Sequence, residues 1–275
     1  MSIRIVNKTE GVITPQRSTE FSAGYDVFSN KDIEILAGQE VNIALPAGIE
    51  FNPEENKVYI FLRSSMGMNN NLRLIRDGEI VPSLELEYEQ ANKQQFVTLR
   101  NVGEEDFTIK EGLHYLQYII VDKKMSYLPF TSEEIEDLKG EIPVALSIKE
   151  TKTGVALVLE EEVFIEQGKR VKLPSGLRFR IKMDSYLEGS VPKGEKRFSF
   201  SNGTTIIDSD YVYAENTGHC YFSLDNITDE DLTLSRGTTI VELMSVPYYK
   251  AENEIIPTKK RTGGIGSTTE PKEDC

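Results

Sequence analysis

The sequence predicts a mostly β chain built from two tandem copies of one sandwich- or barrel-type domain. Three observations carry that prediction. Short runs rich in β-branched and aromatic residues are separated by clusters of Gly, Pro, Asn and Asp, the spacing of strands in a sandwich or barrel. A block of fourteen residues recurs within the chain. Helical signals are confined to one stretch near residues 131–140. The length agrees, since 275 residues make one large domain or two small ones, with enough chain to bury a core.

In chain order, residues 57–62, 96–99, 115–121 and 239–244 read as strands. Residues 99–112 align without a gap on residues 224–237: Leu99, Asn101, Glu105, Asp106, Thr108 and Gly112 meet the same residue types at Leu224, Asn226, Glu230, Asp231, Thr233 and Gly237. A second block repeats at nearly the same offset, Leu45-Pro46-Ala47-Gly48-Ile49-Glu50-Phe51 on Leu173-Pro174-Ser175-Gly176-Leu177-Arg178-Phe179. Two blocks in one order mean duplication. Thr131-Ser132-Glu133-Glu134 is a capping box, Ile135 and Leu138 share a helical face, and Gly140 can stop the turn. The expected organisation is therefore a first copy at 1–125, a linker with a short helix at 126–147, a second copy at 148–250 and a mobile arm at 251–275, where apolar side chains are few.

With 31 Lys+Arg against 45 Asp+Glu, the net charge of −14 argues against a general nucleic-acid or membrane-surface binder, because both polyanions repel it. A small anionic ligand stays possible, since a few local Arg and backbone N–H groups outweigh a distant field. No apolar run is long enough to span a bilayer, the N-terminus lacks a signal-peptide pattern, and Cys220 and Cys275 make no disulfide framework. The expected setting is the cytoplasm.

Four stretches carry chemistry. Ala23-Gly24-Tyr25-Asp26-Val27 sets a carboxylate beside a glycine, alone a common turn feature. Arg63-Ser64-Ser65 follows a strand, so a guanidinium fork and two hydroxyls stand where a phosphate could be held. In Gly203-Thr-Thr-Ile206-Ile207-Asp208-Ser209-Asp210-Tyr211 the isoleucines demand burial and the aspartates demand water or partners, placing the carboxylates at the rim of a core. Arg261-Thr262-Gly263-Gly264-Ile265-Gly266-Ser267-Thr268 is a hydroxyl- and glycine-rich strip able to wrap phosphates with backbone N–H groups, or simply a flexible tail.

Together with Gly112–Gln117, these stretches resemble the five motifs of the trimeric-type deoxyuridine triphosphatase (dUTPase) family: A-G-Y/F-D, R-S-S/G, G-x-I-D-x-D-Y, G-x-x-x-x-Q and R-G-x-G-G-F-G-S-T. The resemblance implies two tandem jelly-roll barrels with a flexible C-terminal arm. The copies divide the motifs. Copy one holds the first, second and fourth; copy two holds the third and fifth. Alignment sets Gly154-Val155-Ala156 on Gly24-Tyr25-Asp26, Glu188-Gly189-Ser190 on Arg63-Ser64-Ser65, Glu242 on Gln117, and Ser83-Leu84-Glu85-Leu86-Glu87-Tyr88 on Ile206–Tyr211. That is the pattern of a duplicated gene that kept one composite site. The double-length monomeric dUTPases of some viruses are similar in principle, so a monomer with an intrachain site is expected, in a host cytoplasm or nucleus if viral.

The resemblance implies hydrolysis of dUTP to dUMP and pyrophosphate. Asp208 would be the general base for water attacking the α-phosphorus. Gly203, Ile207, Asp210 and Tyr211 would line the nucleoside, with Tyr211 against the deoxyribose. Arg63, Ser64, Ser65 and Gln117 would contact phosphates. Asp26 would hold, through water, a Mg²⁺ bound mainly by the triphosphate. Arg261, Gly264, Ile265, Gly266, Ser267 and Thr268 would close over the substrate. Two positions depart from the family: Ile265 stands for its stacking Phe, and Tyr213 for the Gly that follows its third-motif Tyr. The competing readings are a nucleotide-binding regulatory or protein-interaction module of the same fold, which the presence of Asp208 disfavours, and a dCTP deaminase, for which no motif is found.

Overall fold

A computed structural model describes residues 2–86, 88, 93–138 and 145–263 of the chain. The chain forms two compact units, one running to Met125 and taking in Tyr248–Lys260, the other comprising Ser126–Pro247 and Arg261–Gly264.

In the first unit, Asn56–Leu62, His114–Asp122 and Tyr25–Phe28 form the centre of an antiparallel sheet, with Leu84–Glu85 and Gln16–Arg17 at its edges. Side chains alternate across it. Leu116, Tyr118 and Ile120 enter the core beside Tyr25, Val27, Ile60 and Leu62, whereas Gln117 lies opposite Asp26 on the other face. A second layer, Glu40–Ala44, Phe96–Asn101, Leu72–Arg76 and Glu79–Ile80, contributes Ile43, Val97, Leu99, Leu72 and Leu74 to that core. Each such side chain contributes about 1.5–3 kcal/mol by leaving water.

The pairing of His114–Asp122 with Tyr25–Phe28 shifts register between His114 and Leu116. This bulge has a consequence for the site. Strict alternation would put His114 with Leu116 in the core; the extra residue turns it to the face of Phe28 and Asp26.

The second unit repeats the plan. Leu146–Glu150, Val155–Leu159, Thr239–Pro247, Ser185–Ser190 and Thr205–Asp208 make one sheet, and Arg170–Pro174, Tyr221–Asn226 and Phe198–Phe200 the other. The ribbon Ile33–Ile35 with Phe107–Ile109 reappears as Val163–Ile165 with Leu232–Leu234. The identities of the repeat explain why. Asn101 Nδ2 donates to the carbonyls of Ile35 and Glu105 at 3.0 and 2.8 Å, and Asn226 Nδ2 to those of Ile165 and Glu230 at the same distances. Asp106 accepts from the Ala37 N–H and Asp231 from the Gln167 N–H, both at 2.9 Å. Gly112 and Gly237 turn at φ +79° and +83°, where an L side chain is strained. The repeated polar residues tie loops to strands.

Two expectations are corrected. Residues 126–147 are not a helical linker. The capping box forms, with the Thr131 N–H donating to Glu134 Oε2 at 2.9 Å, but it closes a single 3₁₀ turn over Ser132–Glu134. The chain then extends as Ile135–Asp137, paired with Leu177–Phe179 as Arg4–Asn7 pairs with Ala47–Glu50 in the first unit. Cross-strand partners for Ile135, and Arg178 Nε on Glu136 at 2.6 Å, outweigh a helical face of two residues. Residues 139–144, with Gly140, lie outside the described part. Second, the arm does not start mobile at 251. Ala251 is buried, its N–H donating to the Tyr25 hydroxyl at 2.8 Å; Asn253 bonds both backbone groups of Ile5; and Arg17 grips Glu254 through Nε and Nη2, both at 2.8 Å. Burial alone would raise the Glu254 pKa, but the hydrogen bonds and charge of Arg17, with the Tyr25 hydroxyl, hold it below the usual carboxylate range.

Candidate active site

The first unit brings together residues of the first, second and fourth motifs, and in the second unit Arg261 reaches the third. In the first unit Gly24 lies under the Gln117 side chain, so close that an added Cβ would stand 2.3 Å from Gln117 Oε1. Any larger residue there would have to displace the Gln117 side chain. Two residues on, Asp26 is almost fully buried and each of its oxygens is engaged: Oδ1 by Arg63 Nη1 at 2.6 Å, Oδ2 by the Ser18 hydroxyl and by His114 Nδ1 at 3.2 Å. Burial opposes ionisation, but the Arg63 charge, then the His114 and Ser18 hydrogen bonds, outweigh it and hold the carboxyl below its ordinary range. As an ionised carboxylate only accepts, His114 Nδ1 carries the proton, and its Nε2 is buried with no hydrogen-bond partner among the described residues.

Arg63 is the extended residue before the short helix Ser64–Met68, and its carbonyl accepts from the N–H groups of Met66 and Gly67. Buried Arg73 closes the other end, donating to the carbonyls of Gly67 and Leu72 at 3.0 and 2.8 Å. Ser65 and Gln117 are buried beside this turn and strand. His114, Ser18 and Arg73 escaped the sequence reading: one is turned off the core face by a bulge, and the others lie outside any motif.

In the second unit, the strand Thr205–Asp208 sends Ile207 into the core and leaves Asp208 on the opposite face, across from Tyr186. A 3₁₀ turn, Ser209–Tyr213, comes next. Arg261 reaches back over this turn: Nε donates to Asp210 Oδ1 at 2.7 Å, Nη2 to Asp208 Oδ2, and the guanidinium lies 5.6 Å from the centre of the Tyr211 ring. Burial disfavours the Arg261 cation, but Asp208 and Asp210 more than offset it, and the group is held charged. Tyr211 is buried among its own unit's core residues, with its hydroxyl accepting from Asn216 Nδ2 at 3.2 Å. Gly218, at φ +71°, lies in the turn that follows, where a Cβ would sit 2.7 Å from Val212 Cα. His219, unnoticed in the sequence, accepts from the Gly176 N–H through Nε2 at 2.9 Å; burial and nearby Lys172 lower its pKa and keep it neutral. Gly203 turns at φ +80° before the strand. Gly264, Ile265, Gly266, Ser267 and Thr268 lie outside the described residues.

Strand register revises how the copies correspond. Gln117 faces Asp26 as Glu242 faces Ala156, which supports those two equivalences. Gln117 also faces Phe61 and Glu242 faces Ser190, so Glu188 matches Tyr59, and Pro192 falls at the place of Arg63. The second copy thus lacks a cation there because a proline succeeds its strand, not because an anion replaced it. Glu188 is a carboxyl raised by burial, partly relieved by the Tyr186 hydroxyl at 3.0 Å. By the same register Glu85 matches Ile206 rather than Asp208, and it pairs with Lys57 at 3.0 Å.

A divalent ion coordinated through water needs open carboxylate oxygens. Asp26 is buried, three protein donors occupy all but one of its about four lone-pair sites, and Arg63 puts a positive charge beside it; the residue fits that role poorly. Among the described residues no group of three or more His, Cys, Asp or Glu gathers to hold a metal. A separate cleft of about 470 Å³, lined by Glu54, Asp122, Lys123, Tyr249, Lys250 and Glu252 among others, includes none of the expected site residues.

The dUTPase family pattern matches residues 10–142. The deoxyuridine 5'-triphosphate nucleotidohydrolase of Hydrogenobaculum is 30% identical over 112 residues, 39% of this chain and 71% of that protein. This chain belongs to the dUTPase family. The Lactococcus lactis enzyme of the same name is 29% identical over 125 residues, 43% of this chain and 83% of its own. Matches that fill most of a relative and under half of this chain agree with a chain about twice the length of the domain. Among solved structures, 2'-deoxycytidine 5'-triphosphate deaminase from Agrobacterium tumefaciens shares the fold over 91% of this chain and 86% of its own, with TM-score 0.55 at 10% identity.

Proposed function

We propose that this dUTPase-family chain hydrolyses dUTP to dUMP and pyrophosphate with Asp208 as general base for water attacking the α-phosphorus, using one complete set of groups per chain. The observation that carries the reading is the assembly of Arg261 on Asp208, Asp210 and Tyr211 from parts of the sequence 53 and 51 residues apart. An arginine held between carboxylates is a preformed fork for phosphate.

In this reading a triphosphate competes with Asp208 and Asp210 for Arg261. Drawn onto phosphate, the guanidinium gives up its bond to Asp208, so that bond breaks only when substrate is present. Arg63, held by Asp26, supplies a second fork, with Ser64 and Ser65 in the turn behind it. Magnesium, which the resemblance implies, takes its ligands from the triphosphate; Asp26 is already engaged.

Pyrophosphate release from dUTP against dTTP, dCTP and UTP tests the activity. Asp208→Asn should keep nucleotide affinity and lose at least ~10²-fold in turnover. Retention of most activity would place the base elsewhere.

A further inference from the structure

The surroundings of Asp26 point to a task other than metal binding. Its side chain is 2% exposed, and both oxygens are engaged by protein donors. Arg63 keeps 20% of its side chain exposed. A carboxylate on one edge of a guanidinium fixes its plane. A cation drawn to Asp26 would meet that positive charge first.

The partners of Asp26 come from three places in the chain. Ser18 adjoins the edge strand Gln16–Arg17, His114 is turned to this face by the bulge, and its ring stacks on Phe28 with centroids 5.8 Å apart. A stacked, bulge-placed histidine donating to Asp26 Oδ2 keeps Oδ1 aimed at Arg63. We propose that Asp26, His114 and Ser18 are positioning residues that orient Arg63 toward a polyphosphate, and that Asp26 is not a water-bridged metal ligand. The inference rests on the reading of Arg63 as a phosphate contact in dUTP hydrolysis.

The test is calorimetric titration of the full chain with the non-hydrolysable α,β-imido analogue of dUTP, once in EDTA and once in excess Mg²⁺. Asp26→Asn should weaken binding by about tenfold in both buffers, as expected for loss of a charge-assisted bond. Ser18→Ala, which spares the Asp26–Arg63 pair, should weaken it about two- to threefold in both and decides the matter if Asp26→Asn fails to fold. In a double-mutant cycle, Arg63→Lys should cost far less in the Asp26→Asn background than alone. Weakening confined to the Mg²⁺ buffer, or unchanged affinity in EDTA for both variants, would overturn the proposal. Wild type that binds the analogue in neither buffer would overturn the dUTP reading, and the proposal with it.

Discussion

At Arg261 two kinds of anion compete for one guanidinium. Asp208 and Asp210 hold it now, and a polyphosphate presents the same paired oxygens with more charge. Arg261→Gln should therefore weaken the α,β-imido analogue by at least about tenfold while changing dUMP affinity less than about twofold, because a monophosphate gains little from the arm. Calorimetry on both ligands reads the difference; equal losses would make Arg261 a structural clamp alone. Aspartates at the rim of a core were legible, since Ile207 cannot be exposed when Asp208 is half-buried beside it. His114 was not. Period-two reading assigns it to the core with Leu116, and only the register shift shows otherwise. The Arg63–Asp26 bond joins residues 37 positions apart, and no local pattern announces such a pair.

At the scale of elements, the repeated residues are the ones that tie ribbons down. Asn226→Ala would take from the Ile165 carbonyl its Asn226 donor and leave the Glu230 carbonyl the Thr228 hydroxyl alone, costing about 1–3 kcal/mol. Hydrogen exchange should rise in Val163–Ile165 and Leu232–Leu234 with little loss of turnover; Asn101→Ala should do the same in Ile33–Ile35 and Phe107–Ile109. Loss of activity without faster exchange would give these asparagines a chemical role. The anchor of the C-terminal segment makes a second prediction. Glu254 has a depressed pKa in the fold, so its stabilisation is present above the unfolded value and is lost as pH falls toward the folded one. Glu254→Gln should lower Tm at neutral pH and flatten the acid limb of the Tm–pH curve. The cost is about 3 kcal/mol if Arg17 is left buried and unpaired. The strands and their repetition were readable because alternation and turn residues are local. The supposed linker helix failed because a capping box fixes only where a turn begins, and a partner strand decides whether the chain then coils or extends.

Across the whole molecule, fold and chemistry separate. The same architecture spans a deaminase at 10% identity, so the activity rests on which groups are present and not on the barrel that carries them. Here the groups are divided: Arg63, Asp26 and Gln117 belong to one unit, and Asp208, Asp210, Tyr211 and Arg261 to the other. The second unit lacks the groups of the first, because Ala156 stands where Asp26 would, Glu242 where Gln117 would, and Pro192 succeeds the strand where Arg63 would. If one chain supplies every group, then Arg63→Glu and Asp208→Asn each disable their own molecule, and a mixture of the two inactive proteins stays inactive at any ratio. If sites were instead assembled from different chains, mixing would unite an intact Arg63 with an intact Asp208 and restore a fraction of turnover. One analogue bound per chain, with no recovery on mixing, is the expected result; recovered turnover that grows with protein concentration would show that the duplicated chain still borrows residues from its neighbours.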